Sequence, residues 1–226
     1  MTSICRKYRK AERKPEYSPD VPVKIPVERK EKLNILFLPG HQPNGGTRTY
    51  QPHIEESEWN RELVARIEST YEGKHKLVRG CEWRKEKSYS DYTKRVKSFC
   101  KNNDVDLVIE IHLNAAGIPE ARGCEMLIAP YDATATLAYN LISQFSLKFK
   151  IVPRGWYKSF QGVKARKSGD RGGYLMNEVE KVGTMCMLFE PFFADYRSKD
   201  SEQFLEMPDY GVEKMAKYFR EALSYL

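Results

Sequence analysis

The chain folds, on its sequence, as a single α/β domain: a mixed, largely parallel central sheet flanked by helices on both faces. Three observations predict this. Short, β-branched apolar runs alternate along the chain with stretches whose apolar residues recur at helical spacing. The runs are nearly continuous in apolar character, as strands buried on both sides are. At 226 residues and 41 % hydrophobic content, there is enough material to close one core of generous size.

The first strand covers residues 33–38 (Leu-Asn-Ile-Leu-Phe-Leu) and stops at Pro39-Gly40. His41 then opens a loop of turn-forming residues, Gln42 to Thr47. From about residue 54 the spacing is helical, with Trp59, Leu63, Val64 and Ile67 on one face. A short strand is expected at 74–78 and an amphipathic helix at 89–103. Residues 106–114 (Asp-Leu-Val-Ile-Glu-Ile-His-Leu-Asn) form the next buried strand. Side chains alternate along a strand, so Glu110, His112 and Asn114 share one side of it. A strand at 124–129 and a helix at 133–149 follow. Residues 151–173 show little periodicity but are crowded with basic residues and glycines. A last strand at 184–193 and a helix at 209–226 complete the chain.

Charge is unevenly placed. The net charge is +7, and residues 1–32 hold ten Lys/Arg against five Asp/Glu, leaving the body, 33–226, at about +2. Pro15, Pro19, Pro22 and Pro26 interrupt this basic arm, and it lacks the apolar spacing that buries a face. It is either a solvated leader or an electrostatic tether to an anionic partner such as nucleic acid, a wall polymer or a carrier protein. Two tyrosines are too few for a stacking platform on single-stranded nucleic acid.

No secretory-type apolar stretch follows Met1, and no apolar run is long enough to span a membrane. The expectation is a chain made in the cytoplasm. Five widely spaced cysteines without a CxxC pair suggest neither a disulfide framework nor a thiolate metal site. Cys124 and Cys186, inside apolar runs, read as small core residues.

Ligands gather outside the carboxyl ends of strands in such sheets, and His41 and His112 both lie at strand ends. Glu56 opens the helix beside the first strand. An open zinc site takes three protein ligands, with His nitrogen and carboxylate oxygen both suitable. A lone strand-end histidine is more often a hydrogen-bonded surface group, so residue types alone do not decide the matter. His53 and His75 read as bystanders.

The order of short motifs carries more. Leu38-Pro39-Gly40-His41 with Gly45-Gly46, then Glu56 with Asn60, then Ile111-His112-Leu113-Asn114-Ala115, then Gly123-Cys124-Glu125, then Glu190 with Phe193 together resemble the zinc-dependent N-acetylmuramoyl-L-alanine amidases of the amidase-3 type. That family occurs among bacterial wall-remodelling enzymes and phage endolysins. The resemblance implies Zn2+ held by His41, Glu56 and His112, with Glu190 as the catalytic carboxylate. Its substrate would be peptidoglycan, cut at the amide between N-acetylmuramic acid and L-alanine. Asn114, Arg154, Trp156 and Arg166 are expected on the substrate side. A phage-type lysin, accumulating in the producing cell and acting on the wall after release, fits the lack of a leader. Two departures stand out: the family has Asp before Pro-Gly-His and Ser before Ile-His, where this chain has Leu38 and Glu110. Glu110 either orients a metal ligand or replaces Glu56 as one.

Two rival functions remain on sequence alone. One is another zinc amidohydrolase or carboxypeptidase acting on an acylated amino acid or small peptide. The other is a non-catalytic virion or wall-binding component that keeps the fold without the metal.

Overall fold

A computed structural model of the protein describes residues 30–51, 54–80, 86, 88–170 and 172–226. Nearly all of the basic arm and His53 lie outside the described residues.

β1 (Asn34–Pro39) leads into α1 (Glu56–Thr70), β2 (Lys76–Leu77), α2 (Tyr89–Asn102), β3 (Leu107–Ile111) and β4 (Glu125–Ile128). Next come α3 (Asp132–Phe149), a small hairpin of β5 (Trp156–Tyr157) and β6 (Phe160–Gln161), β7 (Val163–Ala165) and α4 (Gly173–Glu180). β8 (Met185–Glu190), α5 (Lys199–Leu205) and α6 (Pro208–Leu223) close the chain. The six-stranded sheet has the order β2-β1-β3-β8-β4-β7. β2, β1, β3 and β8 run parallel, β4 is antiparallel to β8, and β7 is parallel to β4. The expected mixed, largely parallel sheet is therefore present.

Strand alternation splits the core into two layers. Ile35, Phe37, Ile109, Ile111, Met126, Met187 and Phe189 face the layer of α1, α3, α5 and α6, where Phe145, Phe149, Phe204, Tyr218 and Phe219 pack as an aromatic cluster. Leu36, Leu38, Val108, Leu127, Cys186 and Leu188 face the other way, toward α2 and α4, with Tyr92, Val96 and Met176. Glu110, Glu125 and Glu190 have the parity of this second layer. Three carboxylates thus come to one side of adjacent strands.

Three differences from the sequence expectation have physical causes. The β3 and β8 ladder breaks earlier than their apolar runs suggest, because Pro191 has no N–H to donate. Pairing resumes only as an isolated bridge between Asn114 and Phe193. The aperiodic stretch 151–173 holds β5, β6 and β7, strands of two or three residues that are too short to show a period. α4 and α5 were not expected, since eight and seven residues give at most two turns of pattern. α5 starts on a capping box in which Ser198 and Ser201 satisfy each other's backbone N–H.

Candidate active site

Gly40 follows directly on β1, and its N–H donates to the Ile111 carbonyl at 2.8 Å, so the ends of β1 and β3 touch. A Cβ on Gly40 would lie 2.5 Å from the His112 ring. Only glycine allows that approach. His41 follows with φ of +68°, turning its imidazole back toward His112, and the ring centroids are 4.7 Å apart at 73°.

Glu56, at the first position of α1, is fully buried. Its Oε2 accepts from Thr47 N at 2.6 Å and its Oε1 from Leu113 N at 2.8 Å. Two backbone donors from separate segments thus fix the carboxylate in one orientation. Oε1 also lies 3.2 Å from His41 Nε2 and 3.3 Å from His112 Nδ1. Gly46 makes room for this, because a Cβ there would lie 2.6 Å from Glu56 Oε2 and 2.9 Å from the His41 ring. One donor atom each from His41, Glu56 and His112 lies within 4.8 Å of the others, the only such group among the described residues.

Glu110 meets the opposite edge of the same imidazole, with Oε2 3.4 Å from His112 Nε2, while Tyr92 donates to its Oε1 at 3.2 Å. Glu110 therefore touches the ring nitrogen turned away from His41 and Glu56, which is where a residue that orients the ring belongs. The electrostatics follow. Burial alone would lower the His112 pKa, but Glu110 and Glu56 outweigh it and raise it to about 10. Burial would raise that of Glu56, and the contacts with His112 and His41 hold it far below the carboxylate range instead.

Glu190 ends β8 opposite Glu125, which begins β4. Its Oε2 accepts from Asn114 Nδ2 at 2.8 Å. Burial, then the hydrogen bond and charge of Glu125, push its pKa up to about 8. Glu125 stays low despite its own burial, through Glu190 and the ammonium of Lys164, with which it is ion-paired. Lys164 was missed by sequence reasoning and Glu125 was quoted without a role. β7 is only three residues long, and its pairing with β4 leaves no local signal.

A cavity of about 360 Å³ joins these groups, lined on one side by His41, Glu56, Glu110, His112, Asn114, Glu125 and Glu190. Tyr89, Tyr92, Leu127, Arg166, Gly172 and Leu188 continue it across the α2/α4 face. Of the four residues expected on the substrate side, Asn114 and Arg166 line the cavity. Arg154 and Trp156 do not: the Arg154 guanidinium stacks over Phe193 at 4.4 Å, and Trp156 stands exposed on the β5–β6 hairpin.

The family model for N-acetylmuramoyl-L-alanine amidase, Amidase_3, matches residues 35–225. The chain belongs to that family. It is thus a hydrolase, an N-acetylmuramoyl-L-alanine amidase acting on peptidoglycan. Solved structures agree in fold. An N-acetylmuramoyl-L-alanine amidase from Clostridium difficile 630 superposes with a TM-score of 0.64 at 19 % identity, covering 87 % of this chain and 97 % of that one. The catalytic domain of the CD27L endolysin, which targets Clostridia difficile, gives 0.59 at 20 % identity over 82 % and 94 %. That of CwlV, an amidase from Bacillus (Paenibacillus) polymyxa var. colistinus, gives 0.62 at 16 % over 85 % and 97 %. A comparison with curated protein sequences returned no match. Among the described residues no helix of this amidase is long and apolar enough to cross a membrane.

Proposed function

We propose that this amidase works with a zinc ion held by His41, Glu56 and His112, and that Glu190 moves the proton as the amide between N-acetylmuramic acid and L-alanine is hydrolysed. The observation that carries the proposal is the convergence of two imidazoles on one oxygen of a carboxylate already fixed by two backbone N–H groups. The residues fit the metal. Two nitrogens and one oxygen, closely grouped and opening on a cavity, are the donor set of a catalytic zinc site, with a position left for solvent or substrate. Zinc, when bound, polarises the scissile carbonyl and makes water a stronger acid.

The chain's own residues do the rest. Glu110 and Tyr92 hold the His112 ring so that Nδ1 faces Glu56. Asn114 fixes one oxygen of Glu190. Half-buried beside anionic Glu125, Glu190 is basic enough to take the proton of the attacking water and to hand it to the departing nitrogen of L-alanine. Trp156 on its hairpin offers an exposed ring to the glycan, and Arg154 braces Phe193 behind the Asn114 bridge. The place of action that follows is the bacterial cell wall.

The test couples metal analysis of the purified protein to the release of N-terminal alanine from peptidoglycan. About one zinc per chain and full activity are expected for the wild type. His112→Ala should lose both, and Glu190→Gln should keep the metal and lose activity. Wall digestion that frees sugar ends but no alanine amine would overturn the assignment of the bond, and zinc retained by His112→Ala would overturn that of the ligands.

A further inference from the structure

The cavity is electrically lopsided. Glu56, Glu110, Glu125 and Glu190 crowd the end where the amide is cut, and Arg166 is the one Arg or Lys among the described residues lining the remainder. Arg166 is set in place by its backbone. Its N–H donates to the Ile128 carbonyl at 2.8 Å, and its carbonyl accepts from Asn177 of α4 at 2.8 Å. Its parity is that of Lys164 two residues before, which brings its side chain to the α2/α4 face of the sheet.

Among the described residues the guanidinium has no hydrogen-bond or ion-pair partner. Nε is buried without a hydrogen-bond acceptor, and no ion pair involves Arg166 among the described residues. A buried donor left unpaired costs free energy, and most such groups in folded proteins are satisfied. A guanidinium fork in this state, in a cavity otherwise rich in carboxylates, suits a planar anion supplied by the ligand. Phosphate-sized groups are poorly matched, because the four glutamates repel high charge near the cut bond.

We infer that Arg166 binds a free carboxylate on the peptide side of the substrate, carried by the residue next to L-alanine. This rests on the amidase reading above. Ala165 pairs with Ile128, so Arg166 stands level with Ala129, four residues along β4 from Glu125, and begins roughly 13 Å along the sheet from the Glu125–Glu190 pair. An extended peptide advances about 3.3–3.6 Å per residue, and the arginine side chain spans the remaining gap. The carboxylate of the second stem residue therefore reaches the guanidinium when the alanine amide lies at Glu190. An amide at that position would offer one acceptor and two donors, and it leaves the cation unneutralised. Arg166 thus selects between acidic and amidated stem peptides, acting through binding and not through the bond that breaks.

The test uses two muramoyl peptides that differ only in whether the second stem residue bears a free carboxylate or a carboxamide. kcat/KM is measured on both for the wild type, Arg166→Gln and Arg166→Lys. The ratio of the two substrates is internal to each variant, so a partly folded preparation does not distort it. The wild type is expected to prefer the acid by roughly 10- to 100-fold, the range of a charge-assisted hydrogen bond. Arg166→Gln should bring the ratio close to one, mainly through a higher KM for the acid, and Arg166→Lys should keep part of it. Equal cleavage of both peptides by the wild type, or an unchanged ratio in Arg166→Gln, overturns this inference and leaves the amidase reading intact. Cleavage of neither overturns both.

Discussion

Glu125 and Glu190 stand opposite one another across the antiparallel pairing of β4 and β8, close enough for each carboxyl group to shift the pKa of the other. Two carboxylates so placed titrate as a pair and cannot both ionise freely. Lys164 breaks the symmetry by pairing with Glu125, which leaves the proton with Glu190.

Glu190 is therefore a source of instability as well as the proposed proton carrier. Its pKa in the fold is raised from 4.5 to about 8, so the fold loses stability as pH rises through that interval. Glu190→Gln removes this loss. Amide hydrolysis should fall about 10²–10⁴-fold, while the metal-free variant melts at or above the wild-type temperature at pH 8. A lower melting temperature there would contradict the shared-proton geometry.

Lys164→Met leaves Glu125 buried without its cation. A stability loss of about 1.5–3 kcal/mol is expected from denaturant titration at pH 7. Because the Glu125 pKa is lowered in the fold, the contribution is present above the ordinary carboxyl value of 4.5 and fades as pH falls below it. The difference between wild type and variant should shrink in acid; a gap constant with pH would assign the loss to packing.

Loading the site with zinc should release about one proton per ion near neutral pH, since His112 keeps its proton up to about pH 10 in the absence of metal. Calorimetric titrations in two buffers of different ionisation enthalpy read this directly. The same raised pKa stabilises the metal-free fold fully below 6.5, and that contribution is lost as pH rises toward 10. Chelated protein should accordingly be the more alkali-sensitive form, and identical alkaline melting with and without zinc would count against the cluster.

His75 ties the N-terminal edge of the sheet to the end of α6. Its Nδ1 accepts from Leu33 N at 3.0 Å, and its Nε2 donates to the Leu223 carbonyl at 2.9 Å. Only the neutral ring does both. Burial lowers its pKa below 6.5, so this stabilisation is complete above 6.5 and is lost as pH falls through the depressed value. His75→Gln should lower the melting temperature at pH 7.5 and flatten its decline between pH 6.5 and 5. An undiminished acid slope would place that transition elsewhere.

His75 also shows where sequence reasoning stops. The sequence reading left it as a bystander, and its clamp joins residues 148 positions apart, a bond that no local pattern announces. His41 and His112 were legible because glycine and asparagine beside them mark strand ends, where an α/β sheet presents its ligands. Arg166 was expected on the substrate side only through the family resemblance, since it lies in an aperiodic stretch with several other basic residues. Its isolation emerges only once β7 is paired with β4.

Apolar runs, their alternation with helical spacing and the order of the motifs determined the sheet, its helical layers and the candidates His41, Glu56, His112 and Glu190, because these signals are carried by neighbours in the chain. The strand order β3-β8-β4-β7 decided what the chain could not. It set Glu125 against Glu190, brought Lys164 to that pair and spread Arg166 along the same cavity. Close packing at Gly40 and Gly46 likewise decided that Glu56, and not Glu110, meets both imidazoles. Contacts of this kind join segments far apart in sequence, and only the closing of the loops between them brings the charges near enough to alter one another.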